Sequence, residues 1–189
     1  MIPLQKPLMK IRMKITKAQL LRAEPNLYKP RLEEFVESFN TYADTFGINT
    51  PLRAIHYLAQ VFHESAALRY TEEIASGKAY EGRKDLGNIY KGDGVRFKGR
   101  GYIQVTGRKN YQEYADSDFC VGDLMKHPEW LSKSPGNQKA SMFFWWKNKL
   151  NAIADKDDVK AVTKKVNGGY NGLANRMFYY RRFKKELTL

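Results

Sequence analysis

Residues 51–68 read PLRAIHYLAQVFHESAAL. Thr50 stands before Pro51, a capping hydroxyl followed by a ring whose φ already suits the first helical position. From there apolar side chains cover most of the circumference of a 3.6-residue period. The stretch therefore predicts a buried central helix rather than a surface helix with one apolar face. His56, Gln60 and Glu64 fall at i, i+4 and i+8 and share one stripe of it. Such a stripe can face solvent. Leu58, Val61 and Phe62 leave little room for a wide polar face, so it can also be half-buried, where burial disfavours the charged form of a carboxyl, as a general acid requires.

Helical patterns flank this element on both sides. Thr16 before KAQLLRAEP predicts a short capped helix. Lys29-Pro30 opens another, with Leu32, Phe35, Val36, Phe39, Tyr42, Ala43 and Phe46 at three- and four-residue spacings and Gly47 as its stop. Residues 75–101 differ: seven glycines and little periodicity predict a long loop or small hairpin region, the kind of segment that often carries function. Helices return after Asn137, after Asp157 with Gly168-Gly169 as the stop, and over GLANRMFYYRRFKKEL, residues 172–187. The order predicts a mostly α fold with at most a small sheet. Residues 14–189 form a single domain and residues 1–13 a basic N-terminal tail.

Composition narrows the partners. A formal charge of +13 makes nucleic acid, anionic membrane surface and anionic cell-wall polymer all eligible. Cys120 is the only cysteine, which excludes an intrachain disulfide scaffold; between Phe119 and Val121 it reads as core filling. The N-terminal residues lack an apolar core segment and a small-residue cleavage site, so no signal peptide is expected, and no stretch reaches transmembrane length. Three histidines and one cysteine compose no metal-ligand pattern. Gly99, Gly101 and Gly107 lack the strand–helix context of a dinucleotide site, and no phosphate-loop motif occurs. Neither cofactor nor metal is expected.

Residues 97–111, FKGRGYIQVTGRKNY, mix cations, aromatic rings, glycines and a central Gln-Val-Thr. Interleaved bases and rings suit a groove for single-stranded nucleic acid as well as one for a glycan. Glu72 and Glu73 add a second pair of carboxylates. On a continuous helix Glu64 and Glu73 would point oppositely and lie roughly 13 Å apart along the axis. They can serve one cleft only if the helix ends near Arg69 and the chain bends back. Paired carboxylates about 6.5–9.5 Å apart would then mean inverting glycosidic hydrolysis, and about 5–5.5 Å retaining.

AQVFHESAALRYTEE (59–73), GKAYEGRKDLGN (77–88), GDGVRFKGRGYIQVTGRKNY (92–111) and VTKKVNGGYNGLANR (162–176), in this order, resemble the family 19 glycoside hydrolases, most closely their compact bacterial and phage members. The resemblance spans about residues 45–185. It implies a lysozyme-like α+β fold with a central buried helix and a catalytic cleft. It makes Glu64, after His63, the general acid; Glu73 the general base; and Thr106, in G-R-G-x-I-Q-x-[ST], the residue that holds the attacking water. His63, Gln104, Asn110, Tyr111 and Asn167 fall on the substrate side, and Arg176 matches a cleft arginine that orients the base. The glycines of 97–111 would then let backbone approach a sugar, and the stretch reads as a cleft wall.

The family cuts β-1,4 bonds in polymers containing N-acetylglucosamine, so peptidoglycan and chitin compete. Chitin is neutral, whereas peptidoglycan carries peptide carboxylates that a basic enzyme would attract. Peptidoglycan is the expected partner, cut by a monomer made in the cytoplasm and acting at the wall, with no stable nucleic-acid partner and no membrane insertion. The other classes are a chitinase and a non-catalytic envelope- or nucleic-acid-binding protein. The last would not need Glu64, Glu73 and Thr106 together.

Overall fold

Thr50 caps the first turn as expected, its hydroxyl accepting from the Arg53 N–H at 3.3 Å, and the helix runs Pro51–Glu64. In the computed structural model, which describes residues 13–188, every residue from Ala54 to Phe62 of this helix is buried. The basic tail expected over residues 1–13 lies, Met13 apart, outside the described residues.

In chain order the helices are α1 (Lys17–Ala23), α2 (Leu32–Tyr42), α3 (Pro51–Glu64), the single turn α4 (Asp93–Arg96), α5 (Arg108–Ala115), α6 (Gly136–Lys147), α7 (Leu150–Ala154), α8 (Val159–Asn167) and α9 (Leu173–Leu187). The central α3 packs chiefly against α9, which also receives α1 and α8. Rings fill the seams. Phe62 of α3 meets Phe183 of α9 edge-on at 4.7 Å, Phe35 of α2 meets Tyr102 at 5.1 Å, and Tyr57 of α3 meets Trp145 of α6 at 5.4 Å. Edge-to-face pairs of this kind add specificity to apolar burial.

Local chemistry explains the ends. Thr16 and Gln19 form a reciprocal capping box at α1. Asp158 caps α8 by accepting from the Ala161 N–H, one residue later than the spacing suggests. Asp157 is engaged elsewhere: it accepts from His56 Nε2 at 2.9 Å, Lys184 Nζ at 2.8 Å and the Tyr180 hydroxyl. Gly168 closes α8 in a left-handed conformation.

The glycine-rich middle holds less sheet than a hairpin would. Among the described residues it makes two isolated antiparallel bridges, Glu72–Arg100 and Arg100–Val105, because the chain turns too tightly at 100–105 to extend a ladder. It is nonetheless tightly organised. The Glu81 carboxylate accepts from the N–H groups of Gly92 and Gly94, at 2.6 and 2.9 Å. Buried Asn88 donates to Tyr80 O and accepts from the Arg108 N–H, both at 2.8 Å. Asp93 takes both arms of Arg108, and that contact holds its carboxyl below the usual range. These bonds tie the loop to the start of α5. The result is mostly helical with almost no strand, as the sequence implied.

Candidate active site

The helix α3 does not continue to Leu68. It ends at Glu64, and Ala66, Ala67 and Leu68 all take positive φ, 48°, 54° and 71°. Three consecutive non-glycine residues in the left-handed region store strain that surrounding bonds must hold in place. Ser65 Oγ donates to Val61 O at 2.7 Å and accepts from the Leu68 N–H at 2.9 Å. Tyr28 N–H donates to Ala67 O, Arg31 Nη1 donates to Leu68 O, and the turn closes from Tyr70 N–H to Ser65 O. The continuous helix that would have pointed Glu64 and Glu73 apart does not form.

At the near side of this turn, the stripe of α3 faces inward. His56 and Gln60 are fully buried. Arg176, from α9 and itself fully buried, donates to Gln60 Oε1 and to Glu64 Oε1, the latter at 2.5 Å. Glu64 keeps a quarter of its side chain exposed. His63 is half-buried; its Nδ1 lies 2.8 Å from Asn175 Oδ1, and its ring sits against Gly172, where a Cβ would come within 2.1 Å of Cε1. The polar stripe is thus neither a solvent face nor a carboxyl in apolar surroundings. It ends in a carboxylate anchored by a guanidinium.

At the far side the chain is extended, so Glu72 and Glu73 point to opposite faces. Glu72 pairs with Lys98 and Arg100, both at 3.1 Å. Glu73 meets neutral donors instead, accepting from the Tyr80 hydroxyl at 3.0 Å and the Gly99 N–H at 3.2 Å. Burial and this bond raise the Tyr80 phenol, which stays a donor. Gly99 is also where Gln104 and Thr106 converge: a Cβ there would lie 2.4 Å from Gln104 Oε1 and 3.1 Å from Thr106 Oγ1. The glycine leaves Glu73, Gln104 and Thr106 around one small space.

The other predicted substrate residues divide. Asn110 is half-buried, donates to Thr106 O at 2.7 Å, and with Gln104 lines a cavity of about 60 Å³ against Phe143 and Phe144. Asn167 is exposed at the end of α8, just before the turn that carries Gly172. Tyr111 is a correction. It is fully buried against Phe97, donates to Lys98 O at 2.7 Å and accepts from Arg100, so it braces the 98–100 segment and offers no face to a sugar. Burial pushes its phenol up. Arg176 is a second correction: it contacts the expected acid, Glu64, and not Glu73, because α9 packs along α3. Gln60 was visible in the stripe without a partner, and Tyr80 lies in the 77–88 segment, whose aperiodic sequence does not say which side chain reaches Glu73. Among the described residues no group of three or more His, Cys, Asp or Glu gathers as a metal site.

No family model matches the chain. Among curated proteins it is similar to a glycosyl hydrolase family 19 domain-containing protein of Haemophilus influenzae, with 29% identity over 109 residues, 58% of this chain and 52% of that protein. It is also similar to the Arabidopsis thaliana endochitinases At2g43610, 30% identical over 163 residues, and At2g43620, 31% over 159 residues; these alignments take 82% and 81% of this chain but 55% and 53% of theirs. The chain spans about half the length of the curated relatives it matches. Among solved structures, chitinase C from Streptomyces griseus HUT6037 superposes with a TM-score of 0.70 at 20% identity, covering 92% of both chains. A class IV chitinase from Zea mays gives 0.66 at 19%, covering 89% of this chain and 85% of that one. The fold is therefore that of the family 19 chitinases. With the curated relatives, this makes the chain similar to the chitinase-like proteins of glycoside hydrolase family 19.

Proposed function

We propose that the protein is an inverting glycoside hydrolase that cuts β-1,4 bonds in a polymer containing N-acetylglucosamine, and that the polymer is peptidoglycan. The observation that carries the reaction is the asymmetry between the two sides of the left-handed turn. On one side Glu64 is fixed by a buried guanidinium. On the other Glu73, held by neutral donors, shares a space with Thr106 and Gln104.

In this reading Glu64 takes up a proton against the pull of Arg176 and donates it to the glycosidic oxygen as the bond to the anomeric carbon breaks. A water held by the Thr106 hydroxyl attacks that carbon from the opposite face and passes a proton to Glu73. The products are a free hydroxyl on one fragment and an inverted hemiacetal on the other. Glu72, already neutralised by Lys98 and Arg100 and turned to the opposite face, is not the base. Gln104 and Asn110 provide amide groups for acetamido or hydroxyl contacts.

The charge of +13 supports peptidoglycan, since a neutral polymer gains nothing from it. A second reading, chitin, is favoured by the names of the Arabidopsis relatives. We place the action at the cell wall. Purified sacculi and chitin oligomers, each incubated with wild type and Glu64→Gln, test the reading through new reducing ends. Reducing ends from sacculi with wild type alone support it. Cleavage confined to chitin oligomers makes the protein a chitinase, and silence on both glycans removes the enzyme reading.

A further inference from the structure

Glu72 turns away from Glu73 toward a groove of about 330 Å³ that the proposed reaction does not use. Arg31, Arg69, Tyr70 and Lys133 line it with Glu72, and the Thr71 hydroxyl, donating to Ser132 O at 2.9 Å, ties its two walls together. Lys133 also borders an adjoining cavity of about 350 Å³ whose walls include Val121, Leu124, Trp130 and Leu131. A cationic groove therefore runs into an apolar one, with Lys133 at the junction.

The charges of the groove are unbalanced. The Glu72 carboxylate is held by Lys98 and Arg100, and Glu34 lies 3.9 Å from Arg31 Nε. Arg31 also donates to the carbonyls of Leu68 and Arg69, so its guanidinium is largely engaged. Arg69 and Lys133 have no carboxylate partner among the described residues, and both are exposed. Of the residues that line the groove, three cations, Arg31, Arg69 and Lys133, thus face one carboxylate, Glu72. Arg69 is not a loose side chain: its guanidinium stacks on the Tyr28 ring, 5.6 Å from the centroid, where Arg31 also stacks at 5.2 Å.

We propose that this groove binds the carboxylate of a short acidic peptide, with the peptide's apolar side chains lying in the adjoining cavity. The planar fork of Arg69 matches a carboxylate in two-point contact, with Lys133 as a point charge beside it. A bare phosphate would use the cations but leave the Trp130 wall empty, whereas a peptide uses both. The identification of that peptide with the substituents of peptidoglycan rests on the wall-polymer reading above; the binding itself requires no cleavage. The groove would hold a peptide branch while the glycan it belongs to occupies the cleft on the other face of the segment.

The probe is N-acetyl-L-Ala-D-Glu, which has two free carboxylates, titrated into isotope-labelled wild type and Glu64→Gln and followed by NMR. Saturable shifts at Arg69, Lys133 and the Trp130 indole N–H are expected in both proteins. Lys133→Gln and Arg69→Gln should each weaken binding about tenfold, the effect of one charge-assisted contact. Lys133 is exposed and has no ion-pair partner among the described residues, so its variant reads out binding with the least disturbance of the fold. Equal affinity for the neutral diamide of the same peptide, or for inorganic phosphate, would overturn the assignment, as would shifts confined elsewhere. Cleavage of sacculi without peptide binding sinks this inference and leaves the active site standing; peptide binding without cleavage does the reverse.

Discussion

Glu64→Gln should remove activity and also destabilise the protein, and the second effect is the sharper test of the geometry. General acid catalysis contributes about 10²–10⁴ in rate, so cleavage should fall by at least about a hundredfold. The stability effect follows from Arg176. Its guanidinium is fully buried, and Glu64 is its only carboxylate partner among the described residues. Removing one member of a buried pair costs about 3–5 kcal/mol because a charge is left uncompensated. Glutamine keeps an acceptor oxygen, and a quarter of the Glu64 side chain is open to water, so the cost should be nearer that of one charge-assisted hydrogen bond, about 1.5–3 kcal/mol. For a chain of this size each kcal/mol moves Tm by about 2–4 °C, which gives a drop of about 3–12 °C. Thermal denaturation by circular dichroism measures it. The sign is informative, because residues kept for catalysis at the expense of stability raise Tm when replaced. An unchanged or higher Tm would refute the claim that Glu64 is the counter-ion of a buried charge, and undiminished cleavage would refute it as the acid.

Other substitutions test the far side of the turn. Glu73→Gln should lower cleavage by about 10²–10⁴, while Glu72→Gln, whose partners are Lys98 and Arg100, should retain most of the rate; the opposite order in a reducing-end assay would move the base by one residue. Thr106→Val should cost about tenfold in kcat through the lost hydrogen bond to water, with folding preserved, and an unaffected kcat would remove that role. Gly99→Ala should leave Tm within a few degrees, since the atom it meets is the end of the Gln104 side chain, yet impair cleavage by displacing that amide from the shared space. Stability should also fall as the solution is acidified. Burial depresses the His56 pKa against the opposing pull of Asp157, so the folded state binds its proton later than the unfolded chain. That contribution is complete above the unfolded value of about 6.5 and is lost as pH falls through the lower folded value. A plot of Tm against pH should slope downward below that point in wild type and less steeply in His56→Gln. The Asp157 carboxyl does not confuse the window: burial opposes its charge, but bonds from Lys184, Tyr180 and His56 outweigh this and hold it at about 2.

What the sequence disclosed and what it withheld follow from the range of the forces involved. The buried α3 was legible because its periodicity and its Thr50-Pro51 start are local. The stop at Gly168 was legible for the same reason. The turn at 65–70 was not. Ser-Ala-Ala-Leu contains no glycine or proline, and alanine is the best helix former, so propensity extends the helix to Leu68. Three partners distant or unexpected in sequence override it: the Ser65 hydroxyl competing for backbone groups, the Tyr28 N–H, and the Arg31 guanidinium. The same holds for Arg176, whose family resemblance suggested a partner for the base, whereas the packing of α9 along α3 delivers it to Glu64. Tyr111 sits in a motif that reads as a sugar platform, yet its ring is consumed in bracing Lys98 and Arg100. In each case the partner is set by packing between distant segments, which local sequence does not carry. The strain in residues 66–68 is therefore tied to the chemistry: only by leaving the helix at Glu64 does the chain bring Glu73 to Gly99, and with it to Thr106 and Gln104.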